Sequence, residues 1–176
     1  PQDPTNPVNF YGATKREGEQ LVEAVGGQSY IFRTAWVFSN FGENFVTAML
    51  NLGAKHDSIK VVNDQMGIPI YAPALADALL QAAKTICINT DTSYPPIHHI
   101  VGGGGAINRF DFAKLILKTA SLQTLVKPIS SADFAAPAPR PRNATLDTRS
   151  FTATFGYALP DWRDGLKDML RNRVNG

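Results

Sequence analysis

The sequence predicts a layered α/β fold with mostly parallel strands. Three observations carry that expectation. Apolar spacing alternates along the chain between the i, i+3, i+4 pattern of helices and short β-branched or aromatic runs. Glycine, proline and asparagine mark the changeovers. At 176 residues and 44% hydrophobic, the chain suits one domain with a sizeable core.

The elements follow in order. Residues 9–25 carry helix formers with Phe10, Ala13, Leu21, Val22 and Val25 on one stripe, bounded by Asn6-Pro7 and Gly26-Gly27. Residues 29–38 read as a strand, and 44–56 as a helix bearing Phe45, Val46, Met49, Leu50 and Leu52. A short strand is expected over 59–63, stopped by Gly67-Ile68-Pro69. The most periodic helix covers 73–86, with Leu75, Ala76, Leu79, Leu80 and Ala83 expected inward. A strand over 97–101 runs into four glycines, Gly102 to Gly105. Asn108 has N-cap chemistry for a helix over 110–121, whose Phe112, Leu115, Ile116 and Ala120 share a face. Residues 130–143 hold Pro137, Pro139 and Pro141 and should be extended and irregular. An amphipathic helix is expected over 161–174.

Composition excludes several classes of function. Seventeen Lys and Arg against fifteen Asp and Glu leave +2, too weak for a nucleic-acid partner. No apolar run approaches the roughly 20 residues of a membrane helix. Cys87 is the single cysteine, so no internal disulfide can form and a cytoplasmic, reducing setting is expected. The chain opens on Pro1, without a signal sequence, and reads as a piece of a longer polypeptide. Gly102 to Gly105 lack the Lys-Ser/Thr of a P-loop and read as a flexible strand-to-helix turn rather than a phosphate cradle. His98 and His99 are neighbours in a strand and point to opposite faces, so they cannot chelate one metal. Asp64-Gln65 reads as a turn.

Chemistry centres on Tyr11 and Lys15, which stand at i and i+4 on the first helix. That spacing puts both on one face. A phenol titrates near 10 unless a neighbouring cation favours its ionised form. The pair therefore suits proton donation to a carbonyl oxygen that becomes an alkoxide, although the same spacing also fits a surface tyrosine beside a solvated lysine. Trp36 follows Arg33-Thr34-Ala35 at the carboxyl end of a strand, where open α/β sheets bind ligands; a core tryptophan would fit the same apolar run.

The string NPVNFYGATKREGE, then FRTAWVF, GENFV, DQMGIP and RPRNATLD, resembles the extended short-chain dehydrogenase/reductase superfamily. More narrowly it is similar to the dTDP-4-dehydrorhamnose reductase family, from residue 6 to about 166. The resemblance implies the back part of a Rossmann-like doubly wound parallel sheet plus a small α/β substrate-binding lobe. Residues 1–60 would hold the catalytic helix and remaining Rossmann elements, 61–150 mainly the lobe, and 151–176 a closing helical segment. It implies Tyr11 as general acid for the C4 carbonyl of a dTDP-sugar, with Lys15 supporting it. Tyr11, Lys15, Thr34 and Ala35 would meet NADPH or NADH, and Trp36, Arg140 and Asn143 the sugar nucleotide. Arg142 and Arg149 lie close to that arginine loop. Some members hold magnesium with glutamates at a subunit interface; the aligned position here is Pro73, so no metal is expected. The family's glycine-rich dinucleotide turn is absent from these residues, so this chain alone should be inactive. A homodimer is the commonest assembly. RPRNATLD also resembles the non-catalytic regulatory β subunit of methionine adenosyltransferase, and nucleotide-sugar epimerases and dehydratases share the superfamily; Trp36 and DQMGIP favour the reductase.

Overall fold

The structure is a computed structural model and describes residues 1–89, 93–134 and 136–173. Asn9 starts helix α1 (Phe10–Val25) from extended backbone, its side chain accepting the Gly12 N–H at 2.8 Å. Gly26, at φ 75, ends the helix. The expected strand over 29–38 is two strands, β1 (Ile31–Arg33) and β2 (Val37–Phe38). Trp36 separates them at φ 51, a left-handed conformation uncommon for a bulky side chain. At this kink the chain changes hydrogen-bonding partner, which is why one expected strand is two.

Helix α2 (Phe45–Gly53) begins with a capping box in which Asn44 and Thr47 satisfy each other's backbone N–H groups. Strands β3 (Ser58–Val62), β4 (Met66–Gly67) and β5 (Ile70–Tyr71) lead into α3 (Ala72–Ile88). Then come β6 (Ile97–His99), β7 (Ile107–Asn108) and α4 (Arg109–Thr119), capped by Asn108. Besides the two-residue strands, two longer elements escape the sequence reading: β8 (Leu125–Ile129), which holds Pro128, and α5 (Arg149–Phe155). Strand β9 (Asn143–Ala144) lies between them, and α6 (Trp162–Arg173) follows.

Strand pairing is mostly parallel: β1 with β6, β2 with β5, β3 with β8 and β4 with β9, while β4 and β7 run antiparallel. Pro128 is tolerated because β8 pairs on one side only. One apolar cluster joins α2, β3, α4 and α6 around Phe112, Trp162 and Met169. A second joins β5, α3, α5 and Ile100, just past β6, around Ile70, Phe151 and Phe155. In α3 the buried residues are Ala78 and Ala82, with Leu75 packed beside them, whereas Leu79 and Leu80 are exposed. The expected inward stripe is therefore rotated: the face of α3 that meets this cluster carries Leu75, Ala78, Ala82 and Ile86.

The four glycines link β6 to β7 rather than a strand to a helix, and they form a tight seat for α6. Trp162 Nε1 donates to the Gly105 carbonyl at 3.0 Å and Arg163 to the Gly104 carbonyl at 2.7 Å. A Cβ on Gly103 would lie 2.4 Å from the Leu159 carbonyl oxygen, which explains the requirement for glycine. His98 and His99 are both buried, His98 among Phe32, Phe151 and Phe155.

Candidate active site

The carboxyl end of β1 opens on a cleft of about 870 Å³. Its walls come from the segment leading into α1, the β1–β2 kink, Gln65, Arg109 and the chain around β9. Tyr11, Thr34, Ala35, Trp36, Arg140 and Asn143 all line it, although they come from separate parts of the sequence. Lys15 does not line it. Its ammonium lies 5.6 Å from the centre of the Tyr11 ring, one turn further along α1. Tyr11 is 69% exposed, and its hydroxyl is bonded to no described residue, so the O–H is free to meet a ligand.

Helix α1 is placed by polar contacts, since none of its residues is buried and Phe10, Leu21 and Val25 are exposed. Arg33 at the end of β1 forms a fork with Glu19: Nε donates to Oε1 and Nη2 to Oε2, each at 2.7 Å. Arg16 adds a third bond to Glu19 at 3.2 Å. The Arg33 hydrogen bonds hold the Glu19 carboxyl below its ordinary value, and the same pair raises Arg33. At the other end, Asn9 donates to the Pro139 carbonyl at 2.8 Å, tying the start of α1 to the arginine loop.

Trp36 is held on several sides. A Cβ on Gly67 would lie 2.4–2.7 Å from Cε2, Cδ2 and Cζ2 of the indole, so the glycine backbone packs against the ring. Phe112 lies nearly parallel to it, 6.4 Å away at 11°. The indole N–H donates to no described residue. Asn143 uses its side-chain oxygen on the Thr145 N–H and hydroxyl, at 3.0 and 2.7 Å, which leaves its amide N–H groups for a ligand.

Arg109 was missed in the sequence, and Gln65 was read there only as part of a turn. The Arg109 guanidinium lies 3.6 Å from the Trp36 ring centre and 4.4 Å from that of Phe45. Burial, and then the charge of Arg140, lower its pKa to about 10. Gln65 is buried, donates to the Ser131 hydroxyl at 2.9 Å and lines the cleft. Asp64 accepts from the Ser131 N–H and hydroxyl, a long-range tie to the chain after β8 rather than the local turn chemistry expected. Arg149 is paired with Asp147 at 2.6 Å, and neither it nor Arg142 lines the cleft. Among the described residues no group of His, Cys, Asp and Glu is assembled to hold a metal ion. Nor is any described helix long and apolar enough to cross a membrane.

Parallel strands ending at a ligand-sized cleft, with a Tyr-x-x-x-Lys helix along its edge, define a Rossmann-type α/β architecture. The chain belongs to the family described as RmlD substrate binding domain, which matches residues 1–175. It is 33% identical over 174 residues to the dTDP-4-dehydrorhamnose reductase of Escherichia coli K12, covering 96% of this chain and 57% of that protein. A crystal structure of a dTDP-4-dehydrorhamnose reductase ortholog from Clostridium acetobutylicum superposes with a TM-score of 0.87 at 33% identity, covering 98% of this chain and 59% of the other. The dTDP-4-dehydrorhamnose reductase of Bacillus anthracis, solved in complex with NADP, superposes at 0.80 with 31% identity, covering 97% and 58%. The chain thus spans somewhat more than half the length of these relatives.

Proposed function

We propose that the chain supplies the catalytic tyrosine and the substrate-binding lobe of an NADPH-dependent reductase. Its substrate is dTDP-4-dehydro-L-rhamnose and its product dTDP-L-rhamnose. One observation carries this reading: an unbonded Tyr11 hydroxyl, the Trp36 indole and two guanidinium groups converge on one cleft. The names of the relatives support the substrate, and the NADP complex of the Bacillus anthracis protein supports the cofactor.

Tyr11, Thr34 and Ala35 line the same cleft and suit the nicotinamide end of the cofactor. When bound, NADPH supplies the hydride. The chain's own residues do the rest. Tyr11 Oη gives its proton to the C4 carbonyl oxygen, and Lys15 stands close enough to its ring to stabilise the charge left behind. Trp36 and the amide of Asn143 orient the sugar, and Arg140 meets the negatively charged part of the nucleotide. The assembly proposed is a homodimer in the cytoplasm.

The test is NADPH oxidation by the full-length protein with the ketosugar, followed by identification of the product. Tyr11→Phe should cut turnover by about 10²–10⁴ while NADPH affinity stays within a few-fold. Unchanged turnover removes Tyr11 from the reaction. A product that keeps its ketone points instead to an epimerase or dehydratase.

A further inference from the structure

Arg109 occupies an unfavourable place for a positive charge. It is the first residue of α4, at the positive end of the helix dipole. It is half-buried, and the charge of Arg140 acts on it through the cleft. Its one nearby acid on the helix, Asp111, is turned away and accepts from the Asn108 side chain at 2.7 Å. Among the described residues neither Arg109 nor Arg140 has a carboxylate partner, whereas Arg16, Arg33, Arg149, Arg163 and Arg171 each have one.

What holds Arg109 there is aromatic: the rings of Trp36 and Phe45 lie 3.6 and 4.4 Å from its guanidinium carbon. Cation–π contacts offset part of the desolvation, and they leave the edge donors of the planar group unspent. A rigid, partly dehydrated fork beside a second guanidinium, both lining an 870 Å³ cleft, is a receptor for a doubly charged anion. A neutral sugar or base would leave both cations unpaired.

We infer that Arg109, seated on Trp36 and Phe45, is the fixed anchor for the diphosphate of the nucleotide sugar, with Arg140 reaching the same group from its proline-rich loop. This deepens the reductase reading and rests on it. It also gives Trp36 a second task, since the indole that contacts the sugar also aims the guanidinium. Arg109 is a positioning residue. It sets where the diphosphate lies and, through the length of the dTDP-sugar, how far C4 reaches toward Tyr11.

The experiment is titration of the full-length protein with dTDP and, separately, NADPH, for wild type, Arg109→Met and Arg109→Lys. Arg109→Met should weaken dTDP binding by about 10- to 100-fold and leave NADPH binding unchanged. It should raise the KM for the sugar nucleotide far more than it lowers kcat. Arg109→Lys keeps the charge without the planar fork and should recover only part of the loss. Equal dTDP affinity in Arg109→Met and wild type overturns the inference and leaves the reductase reading intact. Parallel loss of dTDP and NADPH binding also overturns it, because Arg109 would then only hold the fold. A wild-type protein that does not bind dTDP at all refutes both.

Discussion

Replacing Gly67 by alanine should displace Trp36 and loosen the cleft. The added Cβ would stand 2.4 Å from Cε2 of the indole, where ordinary contact begins at 3.4 Å, so the ring must retreat by about 1 Å. It has little room to do so. Phe112 lies parallel to it and the Arg109 guanidinium rests 3.6 Å from its centre. Overpacking of this kind costs about 1–3 kcal/mol. Gly67 does not have positive φ, so alanine adds no backbone strain, and restricting the unfolded chain returns about 0.4–1 kcal/mol. The net expectation is a loss of about 1–2 kcal/mol, a melting shift of about 2–8 °C for a domain of this size. Urea unfolding measures the energy, and tryptophan emission reports the ring. Trp162 is buried and hydrogen-bonded, so a Trp36→Phe background isolates its constant signal. Stability within about 0.3 kcal/mol of wild type and unchanged emission would refute the close packing of Trp36 on Gly67.

Glu19→Ala should cost about 1–3 kcal/mol by breaking the fork that docks α1 on β1. Because the Glu19 pKa is lowered from 4.5, its contribution is present above that value and disappears as the pH falls through the lowered one; mutant and wild-type unfolding curves should converge in acid. His98 and His99 are both held below their ordinary 6.5, chiefly by burial, so the unfolded chain binds more protons than the folded one just under that pH. Their contribution is complete above 6.5 and lost on acidification. Stability should fall by up to about 1.4 kcal/mol per pH unit for each histidine, and a flat profile between pH 7 and 5 would contradict their burial as neutral rings.

The sequence exposed the helices best where a cap and an apolar period agreed. Asn9, Asn44 and Asn108 each accept a backbone N–H at the predicted helix start. Periodicity failed on α3, where Ala78 and Ala82 are buried and the larger Leu79 and Leu80 are exposed, because side-chain size says nothing about how closely a neighbour approaches. The kink at Trp36 was hidden inside a strand-like stretch, since no glycine announces its positive φ. β8 was masked by Pro128 and α5 by its seven-residue length. In the site, six of the seven residues tied to short motifs, Tyr11, Thr34, Ala35, Trp36, Arg140 and Asn143, were legible as neighbours on one cleft, and Lys15 lies outside it. Arg109 was not, because its signal is a packing relation between Trp36, Phe45 and the start of α4, residues 73 positions apart at the extremes (109 minus 36).

The most direct measurement is a crystal structure of the full-length protein with NADP and dTDP-L-rhamnose bound. The sugar O4 should lie within about 2.6–3.2 Å of the Tyr11 hydroxyl, with Trp36 against the sugar and both Arg109 and Arg140 on the diphosphate. A sugar nucleotide bound outside this cleft, or with O4 turned away from Tyr11, would contradict the account.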